Sequence, residues 1–183
     1  MKTKLLAATV AVALGLGTAA MAQTDPMVGG AAMYPSKNII QNAVHSKDHT
    51  TLVAAVKAAG LVRTLEGPGP FTVFAPTNEA FAALPPGTVK TLLEPENKAE
   101  LVKILTYHVV PGRWDAATLR HDVQTTAGGR VSLKTAEGEL LTISEGGGAL
   151  MVTDQKGNTA RVTIPDVFQS NGVIMVVSTV LMP

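Results

Sequence analysis

His45 and His49 stand four residues apart with Asp48 between them, a spacing that on one continuous helix would bring two imidazoles together as metal ligands. Ser46-Lys47-Asp48 reads instead as a break between two helices, and no third ligand is marked, so no metal is assigned. Gly146-Gly147-Gly148 lacks the Lys-Ser/Thr that makes a phosphate loop and reads as a hairpin connection. No Gly-x-Ser-x-Gly elbow occurs, and no pair of acids is marked as a catalytic couple by an apolar setting. The chain has no cysteine, which excludes disulfides, thiol catalysis and thiolate metal sites. The expectation is therefore a non-enzyme with no catalytic residue and no cofactor. Trp114, directly after Pro111-Gly112-Arg113, is of another kind. An exposed indole anchors a partner or a carbohydrate, whereas a buried one covers a core edge.

The elements that must position these residues are legible in the periodicity. Phe71, Val73 and Ala75 alternate with Thr72 and Phe74, the period of a strand with at least one buried face. Pro76 ends that strand, Thr77 caps a following helix, Glu79 lies in its first turn, and Phe81 and Leu84 share a face before Pro85-Pro86 stops it. Upstream, Ser36 is placed to cap a short helix carrying Ile39, Ile40 and Val44. Asp48 or Thr50 caps a second with Leu52, Val53 and Val56 on one side, closed by Gly60. Downstream, Leu101, Ile104, Leu105 and His108 recur at helical spacing. From about Val123 the pattern becomes short β-prone runs at Arg130–Thr135, Glu139–Ser144, Leu150–Thr153 and Thr159–Ile164, the spacing of antiparallel hairpins. The apolar run Val173–Leu181 follows the turn Asn171-Gly172 and is expected as a central strand. Helices first and strands later imply an α+β fold, and no tandem repeat is present.

The first residues predict export. Lys2 and Lys4 precede the apolar run Leu5–Gly17, and Ala20-Met21-Ala22 supplies the small residues read by a signal peptidase, so residues 1–22 are expected to be removed. Residues 23–35 carry Gly and Pro without periodicity and read as a flexible leader, the domain running from 36 to 183. Without Lys2 and Lys4 the basic count falls from 15 to 13 against 14 acids, which leaves no basic footprint for nucleic acid. About 160 residues remain, enough for one domain with its own core. No lipidation cysteine and no hydrophobic C-terminal tail is present, so no stable membrane anchor is expected.

Three segments in order, Phe71–Leu84, then Leu105-Thr106-Tyr107-His108-Val109-Val110-Pro111-Gly112, then Asn171–Leu181, resemble the fasciclin domain family over about Ser36 to Leu181. The resemblance implies a wedge of two β-sheets flanked by several short α-helices, with Phe74, Pro76, Thr77, Phe81, Asn171 and Gly172 as structural motif residues. It also implies a secreted or cell-surface protein concerned with adhesion. Tyr107-His108 is the family's central polar pair, in a region to which adhesive activity has been attributed in relatives. From the residues themselves, His108 continues an apolar helix face, where an imidazole usually ties a helix end to nearby backbone. Asp166-Val167 lies where the family often has an Asp-Ile pair implicated in receptor contact, and a loop Asp also holds turns. The family's last motif commonly carries a histidine and an aspartate where this chain has Met175 and Ser178, an exchange that leaves packing as the strand's main role.

Together these give a secreted interaction module, periplasmic or extracellular, that binds a cell-surface or matrix protein or a polysaccharide. Its partner contacts are expected at Tyr107, His108, Trp114 and Asp166. The alternative is a small carrier of a hydrophobic ligand or lipid, motivated by the excess of apolar over aromatic residues and by seven methionines.

Overall fold

The computed structural model describes residues 25–183, so the expected signal peptide lies outside the described residues. The chain runs through β1 (Met27–Val28), β2 (Ala31–Ala32), α1 (Ile39–Ala43), α2 (Thr50–Ala59), α3 (Val62–Leu65), β3 (Phe71–Pro76), α4 (Asn78–Ala82), α5 (Thr88–Leu92) and α6 (Lys98–Tyr107). It continues with β4 (Val109–Pro111), α7 (Ala116–Thr125), β5 (Arg130–Lys134), β6 (Leu140–Gly146), β7 (Ala149–Thr153), β8 (Thr159–Gln169) and β9 (Gly172–Val177). This is the α+β class expected, with two unequal sheets. β1 and β2 form a small ribbon, and the other seven strands form one sheet in the order β4-β3-β9-β8-β7-β6-β5. All pairings are antiparallel except β3 with β9, which runs Phe71 opposite Gly172 through Pro76 opposite Val177. The two edges of the large sheet approach each other, since the Ala136 amide just past β5 donates to the Val109 carbonyl in β4 at 2.7 Å. The sheet thus curls almost closed.

That curl gives the central strands two interiors. Val73 and Ala75 of β3, with Ile174 and Val176 of β9, face a cluster built with α1, α2, α4 and α6. Phe74, Val173, Met175 and Val177 face the inside of the curled sheet, among Tyr107, Leu119, Leu141, Ile143 and Val152. An alternating strand buried on both faces needs apolar residues at every position, which is why the run beginning at Val173 has no polar interruption. Met175 is fully buried there, where a histidine would need hydrogen-bond partners.

The local signals act as expected at several joints. Thr77 Oγ1 accepts from the Ala80 amide at the start of α4, and Gly60 ends α2 at φ 76°. Several expectations differ, the cap of α2 among them, since His49 stands there in place of Asp48 or Thr50 and makes no side-chain capping bond. The leader 23–35 is not loose throughout, because β1 and β2 pair and Val28 and Met33 are buried in the helix-side core. Its Gly29-Gly30 turn supplies the positive φ a tight hairpin requires. The cap of α1 is Asn38, whose side chain accepts from the Gln41 amide at 2.8 Å while Gln41 bonds back to Asn38, in place of Ser36. Strand β8 continues past Ile164 through Pro165 and Asp166, which its register shifts accommodate as bulges.

Asn171 locks this architecture. Its Oδ1 accepts from the Ile39 amide at 3.0 Å, and its Nδ2 donates to the Leu65 and Gly67 carbonyls at 2.7 and 2.8 Å. One side chain thereby satisfies the start of α1, the end of α3 and the loop leading to β3. Gly172 is equally constrained, since a methyl group at its Cα would overlap the Phe71 carbonyl oxygen of the parallel neighbour.

Candidate interaction site

Tyr107 and His108 close α6, and both point into the protein. Tyr107 is 0% exposed, and its hydroxyl donates to the Leu140 carbonyl and accepts from the Gln155 amide, each at 3.0 Å. Burial pushes its pKa up to about 12. His108 is 2% exposed. Its Nδ1 lies 2.8 Å from the Ile104 carbonyl, so that nitrogen carries the proton, and its Nε2 accepts from the Leu181 amide at 3.0 Å. Both ring nitrogens are used only in the neutral form. Burial lowers the pKa to about 4, against smaller upward pulls from the Ile104 carbonyl and Asp154. The pair fastens the end of α6 to the sheet and to the segment after β9. Both positions, expected from sequence as partner contacts, are buried in the folded domain.

Asp166 sits inside β8 at a bulge, at φ 57°, a left-handed conformation that Asp and Asn tolerate better than other side chains. Its Oδ1 accepts from the Ala116 amide at 2.7 Å, beside Asp115, whose carboxylate accepts from the Thr118 amide at 2.7 Å. Two acids therefore meet the amide end of α7, where the helix dipole favours negative charge. The Thr118 amide holds the Asp115 carboxyl below its ordinary pKa. Asp166→Ala loses both the acceptor for the Ala116 amide and the short polar side chain that eases the left-handed backbone, and is expected to cost about 2 kcal/mol. Asp166→Asn keeps both features and is expected to cost less than half as much in urea unfolding.

Asp166 also draws β8 against the segment 113–116, and that juxtaposition makes the surface. Arg113 Nη2 donates to the Gln169 and Gly172 carbonyls at 3.0 and 3.2 Å, which fixes its guanidinium 5.2 Å from the centre of the Phe168 ring. Phe168 remains 37% exposed, the outward member of an alternation in which Val167 and Gln169 are buried. Next to Arg113, Trp114 is half-buried. Its amide donates to Thr72 Oγ1 at 2.9 Å, and its indole Nε1 donates to the Pro111 carbonyl at 3.2 Å, with the ring lying over Gly112. The indole covers the edge of the inner core and keeps an outer face.

Of the four positions expected from sequence, Trp114 and Asp166 fall in this region, while Tyr107 and His108 are buried at the end of α6. Arg113 and Phe168 are additions. The signal for Phe168 was its place between two inward residues, concealed by Pro165, which argued against a strand. His45 and His49 are separated as anticipated by a single 3₁₀ turn, Lys47–His49, with His45 exposed and His49 buried.

Comparison with known proteins is consistent with this architecture. The model of the fasciclin domain matches residues 47–183. Protein sll1483 of Synechocystis sp. is 46% identical over 177 residues, covering 93% of this chain and 90% of that protein. Immunogenic protein MPT70 of Mycobacterium tuberculosis is 34% identical over 203 residues, covering 97% and 96%. Transforming growth factor-beta-induced protein ig-h3 of Sus scrofa is 40% identical over 132 residues, which are 72% of this chain but 17% of that one. Among solved structures, a FAS1 domain pair from the insect cell adhesion molecule fasciclin I superposes with a TM-score of 0.71 at 18% identity, covering 80% of this chain and 51% of that one. The chain belongs to the fasciclin domain family.

Proposed function

We propose that the protein is an exported, non-enzymatic adhesion module that binds a cell-surface or matrix protein or a polysaccharide through the face formed by Arg113, Trp114 and Phe168. The observation that carries this placement is the exposed Phe168 ring held under a guanidinium that is itself fixed by two backbone carbonyls. A rigid, preorganised aromatic and cationic pair loses little freedom on binding, and Trp, Arg and other aromatic anchors dominate interface energetics. The family's link to adhesion, carried by the insect cell adhesion molecule among its solved members, supports the functional class. The export pattern of the first 22 residues supports the compartment.

The test is retention of purified protein on immobilised envelope and matrix fractions, with far-ultraviolet circular dichroism as the folding control. Phe168→Ala leaves both cores intact and is expected to weaken retention about tenfold or more. Trp114→Ala should act in the same direction. Wild-type retention by both folded variants would move the contact elsewhere.

A further inference from the structure

The helix-facing core is incompletely filled. A cavity of about 100 Å³ lies between the β1–β2 ribbon, the helices α1 to α3 and the large sheet, with Val28, Met33, Val56, Leu105 and Ile174 in its wall. That wall is almost wholly apolar. Ser46, His49 and His108 border it without offering it a polar atom. Ser46 Oγ lies 2.9 Å from His49 Nδ1, His108 uses both nitrogens, and His49 Nε2 is sealed behind its neighbours. A buried water makes two to four hydrogen bonds and would find no partner here, so the cavity is dry. A dry void leaves its lining without contacts on one side, and an occupant restores them only if it asks for no hydrogen bond in return.

The space also has a way out. Ile40 and Ala43 of α1, Val53 of α2, and Leu61 and Val62 at the start of α3 line it and are only half-buried, which makes an apolar rim leading to solvent. Lys57, one turn beyond Val53, lines the space too, is exposed, and takes part in no ion pair among the described residues. A lysine stem lies along apolar surface and leaves its ammonium in water at the edge. We propose that the cavity takes the methyl end of an unbranched alkyl chain whose other end, carried out along the rim, is a carboxylate beside Lys57: a free fatty acid of medium length. Size and charge restrict the class. An apolar cavity of ~150 Å³ takes up the six carbons of benzene, so this one houses about four. A chain can insert that much of itself and leave the rest on the rim, whereas a six-membered ring is too large to enter whole. The space serves one chain, which favours a single-chain carboxylate over a two-chain lipid.

Two kinds of probe test this on the purified chain, read by the methyl signals of Val56, Leu105 and Ile174 in ¹³C-labelled protein. Xenon, a single atom that enters dry apolar cavities, is expected to shift them. Sodium alkyl carboxylates of increasing length, from butanoate to dodecanoate, are expected to shift the same methyls saturably. Their Kd should fall about fourfold per added methylene until the chain end is housed, and then level off. Lys57→Gln should weaken octanoate about threefold and leave octanol unchanged, and octylammonium should bind more weakly than octanoate. Ala43→Leu narrows the rim and should weaken octanoate about tenfold; if that variant does not fold, the wild-type methyl shifts still decide the question. No methyl shift with xenon or octanoate, a gain per methylene that continues undiminished to dodecanoate, or equal binding of octanoate and octylammonium would overturn the proposal. Phe168 is no part of this lining, so retention on envelope fractions is expected to be unaffected by octanoate.

Discussion

Replacing His108 with alanine is expected to destabilise the protein by about 3 kcal/mol at pH 7, measured by urea unfolding. The substitution removes a side chain from a packed interior and leaves the Leu181 amide and the Ile104 carbonyl without their partner. The same geometry makes the wild type sensitive to acid. The folded pKa is about 4 against 6.5 for the free side chain, so between those values the unfolded chain binds a proton that the folded chain excludes. Stability is therefore complete above pH 6.5 and declines as pH falls toward 4. Its full extent is about 3 kcal/mol at 1.36 kcal/mol per pKa unit. His49, lowered by burial, acts in the same direction. The lowered carboxyls of Glu79 and Asp115 start from 4.5 and 3.8, so unfolding measured between pH 7 and 5 isolates the histidines. His108→Gln can donate to Ile104 and accept from Leu181 without titrating. It should fold and lose most of this pH dependence. A Gln variant with the wild-type profile would reassign the effect.

Asn171→Ala is expected to cost about 3–4 kcal/mol, because truncation orphans the Ile39 amide and the Leu65 and Gly67 carbonyls at once. A domain of this size commonly has ~5–15 kcal/mol in total, so the variant should be near the threshold of folding at 37 °C. Asn171→Asp separates shape from hydrogen bonding. It keeps the acceptor for Ile39 but faces two carbonyls with a carboxylate, and it should be destabilised at least as strongly at neutral pH. Gly172→Ala tests the neighbouring constraint, with an expected loss of about 3 kcal/mol as β9 is forced away from the Phe71 carbonyl. Thermal unfolding of the three variants against wild type checks the set, and a loss below 1 kcal/mol in all of them would show that this corner is not the lock described.

These two sites also mark how far the sequence carries. Phe71–Leu84 was legible because alternation, a proline and a threonine cap act within a few residues of one another. Thr77 does cap α4, and β3 does divide its side chains between two faces. Helix α7 was missed although Asp115 caps it and Leu119 and Val123 share its buried face, because the short segment between Trp114 and the β-prone region carries few apolar residues. The extension of β8 was missed for another reason. Pro165 and a left-handed Asp166 are both local arguments against a strand, and only pairing with β9 and the α7 amide they face make them tolerable.

The amino-acid order by itself determined the strand and helix grammar, the absence of thiol chemistry and the family, since these depend on neighbours along the chain and on composition. Tertiary structure decided which polar groups are buried and what they meet. Asn171 finds Ile39 and Leu65 at separations of 132 and 106 residues, and Arg113 finds Phe168 across the same corner. His49 is left buried with its Nε2 unpaired. The reason is physical: backbone preference is set over a few residues, whereas burial and hydrogen-bond pairing are set by whichever elements the closed sheet brings together.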